Sequence, residues 1–343
     1  MALYPLVRPF AFALDAERAH RLTIRALQAI PSGDPAREDP RLAIRVAGLD
    51  FPNPVGLAAG FDKDAEVHAQ MLGFGFGSVE IGTLTPKPQS GNAKPRLFRL
   101  AEDRAVINRM GFNNGGYEAA KTRLARPRRG IVGVNIGANK DSADRIADYV
   151  SGVRELAPFA DYLTVNISSP NTPGLRALQD EGALAELLAA IAQARTGDAP
   201  VFLKVAPDLD PAEMDAIARA ALDAGMDALI VANTTVSRPA LRSKHEGEAG
   251  GLSGAPLKGL ALQRLKDFRS ATGGAIPLIA VGGIENGADA YERILAGASL
   301  VQLYTALVYQ GPGLARRIAA ELKALLARDG FAGAGQAVGE GAR

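Results

Sequence analysis

Eight short runs rich in β-branched residues recur along the chain, at 54–62 (PVGLAAGFD), 78–85 (SVEIGTLT), 131–138 (IVGVNIGA), 162–170 (YLTVNISSP), 201–207 (VFLKVAP), 228–235 (ALIVANTT), 277–284 (PLIAVGGI) and 299–307 (SLVQLYTAL). They are near-continuously hydrophobic, as strands are when both faces of a parallel sheet are covered. Helical segments such as 181–195 (EGALAELLAAIAQAR) and 211–225 (PAEMDAIARAALDAG) lie between most of them. Eight strands alternating with helices predict an α/β chain folded as a (β/α)8 TIM barrel. A doubly wound open sheet is the runner-up, disfavoured by the strand count and by the lack of GxGxxG after the first strand.

A plain barrel takes about 250 residues, so roughly ninety of the 343 are additional. They fall at residues 1–40, at 86–115 after the second strand, at 236–258 after the sixth, and in the tail. The expected layout is an N-terminal helical extension over 1–40, a barrel over 41–330, and a loose Gly- and Ala-rich tail over 331–343. Residues 16–30 place Ala19, Leu22, Thr23, Ala26, Leu27 and Ile30 on one helical stripe, with Arg18, Arg21 and Arg25 on another face and His20 at the stripe's edge. Two readings are open: a helix packed on the barrel, or an amphipathic element lying in a membrane interface. The apolar segment 3–14 is much too short to span a bilayer. With no apolar run near 20 residues and no secretory leader pattern, a soluble cytoplasmic protein is the default expectation.

Composition narrows the chemistry. The chain has no Cys, which excludes disulfides, thiolate nucleophiles, Cys zinc sites and protein-ligated iron–sulfur clusters. Three scattered His (His20, His68, His245) leave little room for a His metal centre or a Ser–His–Asp triad, so no metal site is expected. The net charge of +2 implies no basic nucleic-acid surface. Glycine, 38 of 343 residues, exceeds the typical share of roughly 7%.

Each strand run ends in polar or glycine residues: Asp62-Lys63, Thr83, Asn135, Asn166 with Ser168-Ser169, Lys204, Asn233-Thr234, Gly282-Gly283 and Tyr304-Thr305. In a barrel all of them lie on the C-terminal rim and converge on one pocket. Any one of them is explained as well by ordinary turn chemistry; Lys63 and Lys204, closing apolar strands, are harder to explain so. Gly282-Gly283 and the turn before the last helix suit a phosphate, of a substrate or of a cofactor such as FMN. Asn108, Asn135, Asn166, Asn171 and Asn233 offer paired donors and acceptors that match a pyrimidine or a flavin edge. Without Cys or a suitable His, proton transfer falls to Ser, Thr, Tyr, Lys or a carboxylate, and Ser169 sits between two of these amides. A Schiff-base aldolase with Lys204 as nucleophile and a non-catalytic membrane-binding module are the competing readings.

Nine motifs in order carry a resemblance: NPVGLAAGFDKD (53–64), IGTLTPKPQSGNAKPRLFRL (81–100), INRMGFNN (107–114), NISSPNTPGLR (166–176), LKVAPDL (203–209), ANTT (232–235), GGLSG (250–254), VGGI (281–284) and QLYTALVYQGP (302–312). Over nearly its whole length the chain resembles the class 2, quinone-linked dihydroorotate dehydrogenases; Ala101 departs from the Pro that often follows LFRL there. The resemblance implies oxidation of (S)-dihydroorotate to orotate through bound FMN, the redox step of pyrimidine biosynthesis, with ubiquinone or menaquinone as acceptor.

By that resemblance Ser169 is the base for the C5 proton, and hydride passes from C6 to FMN N5. Lys63, Asn108, Asn166, Asn171, Asn233 and Thr234 hold the substrate, with Arg109, Met110, Gly111 and Phe112 beside its carboxylate. FMN contacts Ala59, Gly60, Phe61, Asp62, Lys63, Thr83, Asn135, Asn166, Lys204, Ala232, Gly254, Gly283, Tyr304 and Thr305. His20, Arg99 and Tyr304 border the quinone headgroup. A serine is a poor base at neutral pH, so Lys63 and the amides are expected to stabilise developing negative charge, Thr172 and a water to relay the proton, and Lys204 to favour reduced flavin. The resemblance also implies a peripheral protein on the cytoplasmic side of the membrane, attached through residues 1–40, and a monomer. Ser169, where class 1 enzymes carry Cys, argues against a class 1 mechanism and its iron–sulfur partner subunit.

Overall fold

The computed structural model describes residues 4–127 and 129–342. Eight parallel strands close a barrel: β1 (Val55–Leu57), β2 (Ser78–Leu84), β3 (Ile131–Ile136), β4 (Tyr162–Asn166), β5 (Val201–Lys204), β6 (Ala228–Val231), β7 (Leu278–Val281) and β8 (Ala298–Leu303). Neighbours in the barrel are neighbours in sequence, and the ring closes where Val301, Gln302 and Leu303 pair with Val55, Gly56 and Leu57. The expected (β/α)8 barrel is present. Each strand occupies the first part of its apolar run. The polar ends of four runs lie past the last strand residue and become rim loop, as where β1 stops at Leu57 ahead of Asp62-Lys63 and β6 at Val231 ahead of Asn233-Thr234. Thr83, Asn135, Asn166 and Lys204 instead lie within their strands.

The surrounding helices follow from their own periodicity. Helix Glu181–Ala194 buries Leu184, Leu187, Leu188 and Ile191, one face at i, i+3, i+4 and i+7. Helix Pro211–Asp223 starts with a capping box between Asp210 and Glu213 and a proline in its first turn. Where the strands begin, a hairpin (Ile44–Val46 with Leu49–Phe51) covers the barrel and packs Val46 and Phe51 among Tyr162, Phe202, Ile230 and Leu300. The Tyr162 ring stacks on Phe202 at 4.6 Å. Gly133 leaves it room, since a Cβ there would lie 2.1 Å from the ring.

Two features of the additional residues are not given by their spacing. The segments after the second and sixth strands are not independent loops. Leu97–Leu100, Ala105–Asn108 and Gly251–Gly254 form one three-stranded antiparallel sheet, with Asn108 paired to Leu97 on one side and to Gly251 on the other. The C-terminal segment is not loose either. Ala334 and Ala337 are fully buried, the Ala334 N–H donates to the Arg41 carbonyl at 2.9 Å, and Arg41 donates back to Phe331 O at 2.8 Å. Small side chains let this stretch approach the barrel closely, and the same composition reads as low complexity in the sequence.

At the N-terminus α1 (Tyr4–Ala13) and α2 (Ala16–Gln28) form a pair, α2 starting at an Asp15 cap that accepts from the Arg18 N–H. Five of the six predicted stripe residues face inward together, and Leu22 does not. Ala19, Thr23, Ala26, Leu27 and Ile30 border a cavity, whereas Leu22 is exposed and Ile24 goes into the barrel core. Ile24 lies three residues before Leu27, so α2 has two inward faces, one on the core and one on open space. On α1, Leu6, Val7 and Phe10 are exposed. Among the described residues no helix is long and apolar enough to cross a membrane.

Candidate active site

The strand ends, the small sheet and the two N-terminal helices enclose a cavity of about 590 Å³, within the roughly 300–1,000 Å³ typical of small-molecule sites. Its inner wall is polar and its outer wall apolar. The strand-end loops and the sheet bring Lys63, Asn108, Asn166, Ser169, Asn171, Asn233 and Thr234 to the inner part, with Met110, Gly111 and Phe112 beside them. Ala59, Gly60, Phe61, Thr83, Lys204 and Ala232 line the floor, and Gly254, Gly283, Tyr304 and Thr305 the side formed by β7 and β8. Gly254 has a φ of +99°, and a Cβ there would meet the Arg104 carbonyl at 2.4 Å, so only a bare backbone fits between sheet and cavity.

Two adjacent serines have opposite surroundings. The Ser168 hydroxyl donates to Asn166 Oδ1 at 2.9 Å and accepts from Asn233 Nδ2 at 2.9 Å. Ser169 faces the cavity, and its Oγ accepts from the Asn171 N–H at 3.3 Å. Asn171 Nδ2 donates to Asn108 Oδ1 at 3.2 Å, linking the serine's loop to the sheet. Behind that loop the Thr172 hydroxyl is buried without a hydrogen-bond partner.

Three predicted residues stand outside the cavity lining. Arg109 turns outward over the Phe98 ring and binds Glu248 at 2.8 Å and the Pro95 carbonyl at 2.9 Å, so its guanidinium is not offered to a ligand. Asp62 lies behind the wall, accepting from the Glu66 and Val67 N–H groups at 2.7 and 2.9 Å; burial pushes its carboxyl up to about 6 against those two bonds. Asn135 lies beneath the floor, its Oδ1 accepting from Thr83 Oγ1 and from Asn166 Nδ2 at 3.0 Å.

Of the expected quinone residues, His20 and Tyr304 pack together, and Arg99 lines the same cavity beside α1. His20 packs edge-on to Phe61 at 5.5 Å, Phe61 edge-on to Tyr304 at 5.6 Å, and His20 lies 6.4 Å from Tyr304. The Arg99 guanidinium lies 4.7 Å from the Phe12 ring and donates to the carbonyls of Ala11 and Leu14, holding the end of α1.

Enclosure alters the ionisable groups. Burial pushes the Lys63 ammonium down to about 8, with Asp64 opposing the fall. His20 borders the cavity rather than bulk water; burial, aided by Lys63, lowers its pKa to about 4. Between pH 6.5 and 4 the unfolded chain therefore binds a proton at His20 that the folded chain does not, and stability falls as pH falls through this window. Urea unfolding is expected to show the wild type losing more stability than His20→Phe between pH 7 and 4.5. Equal losses would place His20 in contact with solvent.

Three residues that hold the site carry no site role in the sequence reading. Arg176 donates to Ser168 O at 3.0 Å, to Thr234 O at 3.2 Å and to Asp208 at 2.9 Å, clasping the Ser169 loop to the β6 loop. Arg96 pairs with Glu17 of α2 at 2.7 Å and donates to Ser90 O and Asn92 O; Asn92 in turn donates to Asn171 O at 3.0 Å. Glu80, fully buried in β2, accepts from Asn135 Nδ2 at 2.7 Å. A lone carboxylate inside an apolar strand signals a buried network, because an unpaired charge there is too costly.

Fold and site define a (β/α)8-barrel enzyme whose polar, amide-lined pocket opens into an apolar chamber. The chain matches the dihydroorotate dehydrogenase family over residues 41–326. It is 63% identical over 347 residues to the dihydroorotate dehydrogenase (quinone) of Novosphingobium aromaticivorans, covering 99% of both chains. The Sphingopyxis alaskensis enzyme of the same name is 64% identical, with 99% of this chain and 98% of that one covered. A ligand-free DHODH crystal structure from Eimeria tenella superposes with a TM-score of 0.91 at 43% identity, covering 96% of this chain and 100% of that one. The chain belongs to the dihydroorotate dehydrogenase family and is an oxidoreductase of its quinone-dependent kind. The aldolase and membrane-module readings therefore fall away.

Proposed function

We propose that this chain oxidises (S)-dihydroorotate to orotate with Ser169 as the base and bound FMN as the immediate electron acceptor, and that electrons leave through the α1–α2 chamber to a membrane quinone. The observation that carries this is the contrast at 168–169: Ser168 is tied down by two hydrogen bonds, while Ser169 faces the amide-lined pocket.

The donor set suits an elongated ligand with an electron-rich ring and an anionic end. Lys204, Thr83 and Asn166 line one part of the floor; the bare backbone of Gly254, Gly282 and Gly283 lines another. FMN, when bound, supplies the two-electron acceptor for the hydride from C6. The chain's own residues do the rest. Lys63 and the amides of Asn108, Asn171 and Asn233 orient the substrate and stabilise the negative charge that develops as the C5 proton leaves. Ser169 Oγ takes that proton as its own hydroxyl proton passes to a water, which the unpartnered Thr172 hydroxyl helps to hold in the relay. His20, Phe61 and Tyr304 separate the polar pocket from the apolar chamber and limit water entry.

The exposed Leu6, Val7 and Phe10, beside Arg8, suit peripheral attachment to an anionic bilayer surface on the cytoplasmic side, and the chain acts as a monomer. Purified protein is expected to be yellow, to bleach on anaerobic addition of dihydroorotate, and to regain its colour with ubiquinone or menaquinone. Colourless protein, or colour that dihydroorotate does not bleach, overturns the reading.

A further inference from the structure

Beneath the cavity floor, five barrel strands converge on one carboxylate. Glu80 of β2 is fully buried. Its Oε1 accepts from Asn135 Nδ2 of β3 at 2.7 Å. Its Oε2 accepts from Gln302 Nε2 of β8 at 2.9 Å and from Thr164 Oγ1 and Tyr162 OH of β4 at 3.2 and 3.3 Å. Lys204 Nζ of β5 lies 4.0 Å from Oε1, and the lysine side chain is 5% exposed.

Both carboxylate oxygens thus accept from an amide nitrogen, which only donates. Lys204 lines the cavity, whereas Glu80 does not. Glu80 is the charged group acting on Lys204, and it offsets the burial that otherwise disfavours the ammonium. The other titratable group facing Glu80, Tyr162, stays protonated because burial and the carboxylate raise its pKa.

We propose that Glu80 is a positioning residue that keeps Lys204 charged and fixed at the cavity floor, so that the barrel carries a built-in dipole with its positive end toward the ring of the bound cofactor. Asn135 extends the effect, since it joins Glu80 to Thr83 and Asn166, which also line the floor. The effect on electron transfer rests on the FMN reading. The coupling of Glu80 to Lys204 does not.

The direct test follows the Lys204 Cε signal against pH in the full chain labelled with [ε-13C]lysine, assigned by its loss in Lys204→Met. Glu80→Gln is expected to lower the Lys204 midpoint by two or more pH units, a hundredfold loss of proton affinity. A midpoint that does not move, or a Lys204 already neutral at pH 7 in the wild type, overturns the proposal. A Glu80→Gln chain that does not fold, yet folds once Lys204→Met is added, supports it, because removing both charges leaves no unpaired ion. Failure of the double variant to restore folding overturns it.

The flavin's midpoint potential against pH supplies the second readout. The Glu80→Gln curve is expected to cross the wild-type curve. It lies above on the acid side, where Lys204 is charged without its partner, and below on the alkaline side, where it is neutral. About tenfold each way corresponds to about 30 mV for a two-electron couple. Parallel curves overturn the electrostatic role. Protein isolated without flavin overturns the FMN reading, while the lysine titration still decides the pair.

Discussion

Replacing Ser169 by alanine is expected to slow flavin reduction by dihydroorotate roughly 10²- to 10⁴-fold, the usual contribution of a positioned acid or base, and to leave fold and flavin content intact. The prediction is sharp because Ser169 Oγ has little structural work to lose: the bond it accepts, from the Asn171 N–H, is a long one at 3.3 Å. Ser168→Ala is the internal control. That change removes the hydroxyl shared by Asn166 and Asn233, so it should disturb substrate affinity and stability. Anaerobic stopped-flow measurement of the half-reaction separates the two. Near-normal reduction in Ser169→Ala would remove the serine from the base role, and equal defects in both variants would make it a packing residue.

Removal of residues 1–14 is expected to cut turnover with a long-chain quinone at least tenfold, while flavin reduction by dihydroorotate stays within about twofold, as for a residue group outside the pocket where the chemistry occurs. The position of the cut matters. A deletion through residue 40 would also remove Ile24 and Leu27, which belong to the barrel core, and Glu17, which pairs with Arg96. A cut after Leu14 spares all three. It removes α1, with its Val7, Ala11 and Phe12 cavity wall, and the carbonyls of Ala11 and Leu14 that hold Arg99. Equal loss of both half-reactions in a folded product would deny α1 its role as a quinone wall.

The barrel is legible in the sequence because strands covered on both faces must be apolar throughout, and eight such runs leave few other architectures. Much of the pocket is legible for a related reason: a polar residue closing an apolar run, such as Lys204 or Asn166, has only the rim to go to. What stays hidden depends on direction and partner, which spacing does not encode. Arg109 sits among the substrate motifs, yet turns to Phe98 and Glu248. Ser168 and Ser169 are indistinguishable until the loop is traced. Arg176 and Arg96 act through carbonyls from distant segments, and a carbonyl leaves no trace in residue identity. The C-terminal segment misleads because small residues serve tight packing and slack chain alike.

The mixed parentage of the small sheet also bears on the order in which the molecule is made. Its third strand, Gly251–Gly254, pairs with Ala105–Asn108 across a long loop of intervening chain that contains β3 to β6. A nascent polypeptide emerging from the ribosome therefore holds six of its eight barrel strands before the strand that completes the roof exists. Contacts so distant in sequence form late, since closing a long loop costs entropy that only the finished pairing offsets. Enclosure of the pocket thus comes late in biogenesis, after six barrel strands exist and ahead of the β8–β1 pairing that closes the ring.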